Sequence, residues 1–232
     1  MLKCLLSIDW DYFIYARNES NISHLENKRN LIDLWYKSYI LASIEGKDIR
    51  KNYRLSPEVK TFWNKIKNTF AFSRDTKAFV SDSHALSYNI VQKFGCNAVI
   101  LYDAHSDLGY GGLSSLDFEV NCSNWLGKLF ADKVINKAVI IYSPYTKEKP
   151  RDFEYINAVY DIAYNDFSNF GDDKKVAAIH ICRSGAWTPP WFDDKFEKFI
   201  NDLGIPYKII NCPKRKWNTN ISFSDQIKYL LA

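Results

Sequence analysis

Short apolar runs that alternate with segments of helical periodicity constrain the fold of this chain more than any other feature. These runs, rich in β-branched or aromatic residues, cover residues 2–8, 78–80, 98–102, 137–142, 176–182 and 207–210. The intervening periodicity predicts helices over residues 28–45, 57–69 with Ser56 as N-cap, 85–94, 122–130, 151–160 and 191–203, with polar loops at 50–55 and 145–151. Strands alternating with helices are typical of parallel βαβ units, so we expect an α/β fold with a mostly parallel central sheet.

Composition narrows the class of protein. The 232 residues are 47% hydrophobic, enough for one sizeable core, so we predict a single domain over residues 1–232. A mild, mixed net charge of +4 does not indicate a nucleic-acid partner. The five cysteines, at positions 4, 96, 122, 182 and 212, form no CxxC pair, which indicates reduced thiols rather than a zinc cage. No apolar stretch reaches the roughly 18 to 20 residues of a membrane span, so we expect a cytoplasmic chain without a membrane partner.

Acids and histidines follow three of the apolar runs. Ligands of open parallel sheets collect at the carboxyl ends of the strands, so these positions are candidates for chemistry. The first run ends in SIDWDYF, the second leads into SDSHALSY at the mouth of a helix capped by Ser81, Asp82 or Ser83, and the third leads into DAHSDLGYGG. The i, i+2 spacing of the first and third motifs predicts side chains on one face. The residues expected to meet at this edge are Asp9, Asp11, His84, Asp103, His105 and Asp107.

These six side chains predict a binuclear metal centre. Four carboxylates that cluster at one edge repel one another unless a cation lies between them. Oxygen donors with some nitrogen and no thiolate favour Mn²⁺, with Fe²⁺, Co²⁺ or Zn²⁺ as weaker options. Two such ions would lower the pKa of a shared water and supply hydroxide. Taken singly, a DxD pair is more typical of a turn cap, and His84 of a helix-capping or half-buried histidine, so the prediction depends on all six residues together.

The motifs resemble those of a known superfamily. SDSHA, DAHSD and SIDWD are similar to the ligand stretches of the arginase and deacetylase superfamily, the ureohydrolases. In that superfamily the DxD element usually comes last, whereas here it comes first, so a circular rearrangement of the sheet is expected. The N-terminal IDxDYF pattern, the segment Asn124-Trp125-Leu126 and the late stretch CRSGAWTPPW resemble the UPF0489 group, which includes peptide arginases.

This resemblance implies a fold and a reaction. The implied fold is a three-layer, arginase/deacetylase-like α/β domain whose ligand elements follow a rearranged order. The implied reaction is hydrolysis of the guanidinium of arginine in a peptide or protein, as in the biosynthesis of ribosomal peptides, to give ornithine and urea. Hydroxide would attack the guanidinium carbon, and Asp107 is the expected group for holding that hydroxide and moving its proton.

Further residues are candidates for binding the substrate. A planar guanidinium is best met by a carboxylate, and Glu26, Glu45 and Glu119 are the candidates, with solvated helix acids as the simpler interpretation of Glu26 and Glu45. Asn121 and Asn124 follow the DAHSD loop and are candidates for polar contacts with substrate, although a capping role explains Asn121 equally well.

Two aromatic candidates are also ambiguous. Trp187 belongs to a stretch that could stack on a guanidinium or could form a packed turn. His180 is a candidate proton shuttle or a satisfied core histidine.

Three other functions stay open from the sequence. One is a ureohydrolase acting on a small guanidino or amide compound, and another is a zinc deacetylase, which the absence of an HH dipeptide disfavours. The third is a non-catalytic, metal-stabilised module that binds arginine peptides. A homo-oligomer is possible, but no part of the sequence indicates an interface.

Overall fold

A parallel sheet of seven strands forms the centre of the molecule. The computed structural model describes residues 2–16, 26, 31–167 and 174–231. The strands are β1 (Leu2–Asp9), β2 (Ile14–Ala16), β3 (Tyr53–Leu55), β4 (Phe72–Ser81), β5 (Ala98–Asp103), β6 (Lys137–Tyr142), β7 (Ile162–Tyr164), β8 (Lys174–Cys182) and β9 (Tyr207–Ile209). Seven of them are ordered β7-β6-β5-β1-β8-β4-β9, and every neighbouring pair is parallel. The short strands β2 and β3 form a separate antiparallel pair.

Helices cover both faces of the sheet. They are α1 (Leu31–Ile44), α2 (Phe62–Thr69), α3 (Leu86–Phe94), α4 (Trp125–Ala131), α5 (Glu154–Asn157), α6 (Asp193–Asp202) and α7 (Phe223–Leu230). The prediction of an α/β fold with a mostly parallel central sheet is confirmed. Among the described helices, none combines the length and apolar character needed to cross a bilayer.

Two hydrophobic clusters lie on opposite faces of the sheet. Strand β1 contributes to both, because Leu6 packs into a cluster with α2 and α6, whereas Leu5 packs into a cluster with α3 and α4. Both side chains are fully buried. A strand buried on both faces reads as a continuous apolar run, which is why β1 was recognisable from the sequence.

Strand order brings distant segments of the chain together. Strand β1 lies between β5 and β8, and β4 lies on the other side of β8. Within the seven-stranded sheet, the next strand after β1 along the chain is β4, and the chain then crosses to β5 on the opposite side of β1. The carboxyl ends of β1, β4, β5 and β8 therefore flank the position where the direction of winding changes, which is where open α/β sheets bind ligands.

The segments that follow β1 and β4 differ from the sequence-based prediction. Strand β1 ends at Asp9, and a 3-10 turn (Trp10–Phe13) follows at once. The Asp9 Oδ1 atom accepts a hydrogen bond from the Asp11 backbone N–H at 2.9 Å, so the two acids are related by a turn rather than by an extended strand. Helix α3 begins at Leu86 with Ala85 as N-cap and has no side-chain cap, which corrects the predicted cap at Ser81, Asp82 or Ser83.

Other differences concern short elements. The predicted helices at 57–69, 151–160 and 191–203 each begin with a 3-10 turn, and only residues 31–45 of the predicted helix 28–45 lie within the described chain. Ser56 does cap, but it caps the 3-10 turn by accepting from the Glu58 N–H. Helix α7, strand β7 and the β2–β3 pair were not predicted, because they are short and lack a sustained apolar pattern.

Candidate metal centre

Two groups of possible metal ligands meet at the carboxyl ends of β1, β4 and β5, and they share one aspartate. Asp9, His84 and Asp103 form the first group, and Asp11, Asp103 and His105 form the second. The Oδ2 atom of Asp103 lies 3.0 Å from His84 Nδ1, and its Oδ1 atom lies 3.5 Å from His105 Nδ1. Asp103 therefore joins the two groups, with one carboxylate oxygen facing each histidine.

The Nδ1 atom of His84 is the centre of the first group. It lies 3.1 Å from Asp9 Oδ2, 3.0 Å from Asp103 Oδ2 and 2.9 Å from Asp107 Oδ2. Within the described chain, neither His84 Nδ1 nor Asp103 Oδ2 has a hydrogen-bond partner of acceptable geometry, although both atoms are buried. Buried polar atoms without partners cost stability. The donor set therefore fits a divalent cation, and Asp9, His84 and Asp103 could hold one.

Burial is the largest single influence on the pKa values of Asp9, Asp11 and Asp103. Burial, followed by the negative charge of Asp11, raises the pKa of Asp9 to about 6. Burial and the surrounding carboxylates raise the pKa of Asp103 well above its ordinary value. For Asp11, burial is the largest single effect and raises the pKa, but the charge of His105 and the hydrogen bonds made by the carboxylate together outweigh it, so the pKa is lowered. The raised pKa values of Asp9 and Asp103 mean that the cluster favours the binding of protons or of a metal cation.

The two histidines respond in the opposite way. Burial lowers the pKa of His84 and of His105, but the facing carboxylates outweigh burial and raise both values well above normal. The carboxylates facing His84 belong chiefly to Asp103, Asp107 and Asp9. Without a metal, protons on the imidazoles would balance part of the negative charge.

The loop after β5 is bent so that Asp107 returns to the centre. Asp107 has a backbone φ of 52°, in the left-handed region. Its carbonyl accepts hydrogen bonds from the N–H groups of Leu126 and Gly127, and its Oδ2 atom accepts one from Trp125 Nε1 at 2.5 Å. The start of α4 therefore fixes both the backbone and the carboxylate of Asp107.

A substitution at Gly127 tests this loop support. A Cβ atom at Gly127 would lie 2.4 Å from the carbonyl oxygen of Leu108, so Gly127→Ala forces the loop away from the helix. We expect a loss of about 1–3 kcal/mol in the free energy of unfolding, measured by urea denaturation. A gain in stability, which Gly→Ala usually produces within a helix, would contradict the close approach.

A pocket of about 300 Å³ opens over the centre. Its lining residues are Asp9, Asp11, His84, His105, Asp107, Tyr110, Cys122, Ser123, Glu148, Ser184 and Trp187. The Glu148 carboxylate accepts hydrogen bonds from the Tyr110 hydroxyl at 2.6 Å and from the Ser106 backbone N–H at 2.8 Å. Burial raises the pKa of Glu148.

Sequence reasoning missed Glu148, Tyr110 and Ser184. Glu148 lies in the loop after β6, which was predicted as merely polar, yet β6 ends at the same edge of the sheet. Because ligands collect at the carboxyl ends of all strands in a parallel sheet, the position of Glu148 after β6 is the signal that could have identified it. Ser184 has a left-handed φ of 49°, and its hydroxyl donates to Asp9 Oδ2.

The predicted substrate-binding residues divide into two sets. Trp187 lines the pocket, is 38% exposed, and has its ring centroid 5.1 Å from that of His105. Glu119 and Asn121 are exposed and do not line the pocket. Asn124 is buried, and its side chain accepts from the Asn121 N–H and donates to the Glu119 carbonyl. These three residues stabilise the loop that brings Cys122 and Ser123 to the pocket, which corrects the direct roles predicted for them.

The remaining acids and His180 do not line the pocket. Glu45 is exposed and pairs with Lys47 at 2.7 Å, so it is a solvated helix acid. Glu26 accepts from the Ser83 hydroxyl at 2.9 Å but does not line the pocket. His180 is fully buried and both of its ring nitrogens contact hydroxyl groups, which places it beneath the pocket rather than in it. The core interpretation of His180 therefore replaces the proton shuttle.

Comparison with known proteins adds no assignment. No family model, no curated protein and no solved structure matches the chain.

Proposed function

We propose that this protein is a binuclear-metal hydrolase that converts arginine side chains of a peptide or protein into ornithine and urea. The observation that carries the proposal is the sharing of Asp103 between two candidate ligand groups, one buried and one partly exposed at His105, each of which contains one histidine Nδ1 atom. In the proposal Asp9, His84, Asp103 and Asp107 hold one ion, and Asp11, Asp103 and His105 hold the other. With mostly carboxylate ligands, Mn²⁺ is the preferred metal. When bound, the two ions would supply a water of lowered pKa as the nucleophile.

The order of the strands supports the resemblance to arginases. The SIDWD and DAHSD elements are far apart in sequence, but β1 and β5 are neighbours, with Ile8 paired to Tyr102 directly before Asp9 and Asp103. This adjacency is what a ureohydrolase with rearranged ligand elements requires. An arginase-like form of the three-layer fold is therefore part of the proposal.

The charge of the pocket favours a cationic substrate. No lysine or arginine occurs among the described residues that line it. Glu148 lies beyond the proposed metal ligands, and the partners of its carboxylate in the described chain are neutral, the Ser106 N–H and the Tyr110 hydroxyl among them. In the proposed reaction Glu148 accepts hydrogen bonds from the guanidinium, and Trp187 stacks beside it. The side chain and water then give the ammonium of ornithine and neutral urea, with Asp107 carrying a proton from the attacking water to the departing nitrogen.

A second pocket favours a peptide over free arginine. This pocket has a volume of about 550 Å³ and shares Tyr110 and Glu148 with the pocket of the metal centre. Its other walls include the glycine-rich backbone of residues 109–112 and the side chains of Phe153 and Tyr155. Free arginine would leave this space empty, whereas a peptide has residues on either side of the arginine to fill it.

The direct experiment combines metal content with product analysis. The Mn²⁺-loaded protein is incubated with an arginine-containing peptide, and mass spectrometry is used to detect the loss of CH₂N₂ together with release of urea. Two ions per chain and an ornithine product support the proposal. Two ions with bound but unchanged peptide indicate a binding module, product from free arginine alone indicates a small-molecule ureohydrolase, and one ion points to deacetylase-like chemistry.

Glu148→Gln tests the guanidinium contact. The substitution keeps the shape of the side chain but removes a charged acceptor whose hydrogen bonds are worth about 1.5–3 kcal/mol, so kcat/KM should fall roughly 10- to 150-fold. We expect KM to carry most of this loss and the metal content to stay at the wild-type level. Glu119→Gln is the matched control, because Glu119 is exposed and outside the pocket. Equal kinetics for the two variants would remove Glu148 from the substrate site.

A further inference from the structure

A chain of buried hydrogen bonds leads from the metal centre to His180. The Nε2 atom of His84 lies 2.8 Å from Ser7 Oγ, which lies 2.9 Å from Ser87 Oγ. The Ser87 hydroxyl is 2.6 Å from His180 Nδ1, and His180 Nε2 is 2.8 Å from Ser81 Oγ. The chain ends where the Ser81 hydroxyl donates to the carbonyl oxygen of Ser83 at 2.7 Å.

The carbonyl group at the end of this chain of hydrogen bonds sets the direction of the last two. A carbonyl oxygen can only accept, so the single hydroxyl proton of Ser81 is committed to Ser83. Ser81 Oγ must then accept from His180, which means that His180 Nε2 carries a proton. His180 is completely buried, and among the described residues its nitrogens contact hydroxyl groups only, so a charged imidazolium has no counter-ion there.

The same reasoning continues to the metal centre. A neutral His180 protonated at Nε2 has a bare Nδ1, which accepts the hydroxyl proton of Ser87. Ser87 must then accept from Ser7, and Ser7 must accept from His84 Nε2. A neutral His84 therefore carries its proton on Nε2 and presents the lone pair of Nδ1 to Asp9, Asp103 and Asp107. Burial also holds the pKa of His180 well below its ordinary value, in agreement with the neutral form.

We infer that His180 is a positioning residue that, through Ser87 and Ser7, fixes the tautomer and orientation of His84 as a metal ligand. The inference rests on the proposed metal centre. It assigns the buried hydroxyl groups of Ser7 and Ser87 the role of linking His180 to His84. Satisfied polar networks in a core orient the groups they hold, and partners of a metal-ligating histidine typically contribute 10- to 100-fold to metal affinity.

Three variants separate positioning from general stability. His180→Leu removes the acceptor for Ser87, which leaves Ser87 and Ser7 free to turn their protons toward His84. His180→Asn keeps an acceptor oxygen near the position of Nδ1, so it is the rescue variant. Thr76→Val is the matched control, because Thr76 is a buried residue of β4 whose hydroxyl donates to the Val176 carbonyl, outside the chain of hydrogen bonds.

The readout is Mn²⁺ binding by calorimetry, together with the absorption spectrum of bound Co²⁺. For His180→Leu we expect one of the two ions to bind about 10- to 100-fold more weakly, with the other little changed and the Co²⁺ spectrum altered. His180→Asn should recover most of the affinity, and Thr76→Val should leave both ions unchanged. Because activity is not measured, a failure of arginine hydrolysis does not affect this result.

Two outcomes overturn the inference. If the wild-type protein binds two ions and His180→Leu binds them equally well, His84 is not positioned by His180, while the proposed function stands. If His180→Asn and His180→Leu weaken binding equally, the effect is one of packing. Should His180→Leu not fold, Ser87→Ala interrupts the same chain between Ser7 and His180 and must reproduce the selective loss.

Discussion

Replacing Asp103 with Asn is expected to remove both metal ions and abolish hydrolysis while making the metal-free protein more stable. Asp103 offers one carboxylate oxygen to each ligand group, and an amide cannot offer two charged oxygens. We expect Mn²⁺ affinity to fall by more than about 100-fold, since loss of a partner outside the ligand set already costs 10- to 100-fold. The gain in stability is expected because Asp103 is buried among Asp9, Asp11 and Asp107, whose charges repel it.

Asp82→Asn is the matched control for Asp103→Asn. Asp82 lies in the turn after β4, but its carboxylate binds Arg183 Nε at 2.7 Å and the Gly185 N–H rather than the ligand groups. The control should therefore retain both ions and lose stability, because it leaves the buried Arg183 with a weaker partner. Metal content by mass spectrometry and thermal unfolding in EDTA measure the two effects. Two ions retained in Asp103→Asn would contradict the shared-ligand geometry.

The six side chains of the candidate metal centre could be predicted to cluster because each lies within five residues of the end of an apolar run. A strand that is buried on both faces appears in the sequence as a continuous apolar run, and the carboxyl ends of parallel strands share one edge of the sheet. The structure brings together all six predicted ligands, with His84 and His105 in separate groups joined by Asp103. The turn after Asp9 was not predicted, since it depends on a 3-10 turn closed by a single side-chain hydrogen bond.

Residues without a local pattern escaped prediction. Glu148 faces the pocket because the Ser106 backbone and the Tyr110 hydroxyl hold it there, and both lie far from it in sequence. The hydrogen-bond partners of His180 could not be predicted either, because Ser87 and Ser81 contact it only when β4, α3 and β8 are packed together. Spacing within a motif can indicate a ligand, but contacts between motifs require the strand order.

Raising the pH is expected to destabilise the metal-free protein and to strengthen its metal binding. His84 and His105 have pKa values well above about 6.5, the ordinary value for histidine, so the stability they contribute is fully present below that pH and is lost as the pH rises through their native values. Asp9, with a pKa of about 6, and Asp103 also bind protons more tightly in the native state. Asp11 acts in the opposite direction, but only at low pH, because its pKa is lowered from an already acidic value.

Thermal unfolding between about pH 5.5 and pH 8, in EDTA and in Mn²⁺, checks this linkage. In EDTA the melting temperature should fall as the pH rises, because the native state binds more protons than the unfolded chain across this range. Mn²⁺ replaces those protons and needs deprotonated ligands, so its stabilising effect should grow with pH. At a free concentration 100 times Kd, each ion adds about 2.7 kcal/mol, which corresponds to roughly 5–10 °C for a chain of this size. The same scan on Asp103→Asn should give a shallower fall, because one proton-binding group has been removed. If the melting temperature of the metal-free wild-type protein rises from about pH 5.5 to 7.5, the buried aspartates and histidines do not hold protons in place of a metal.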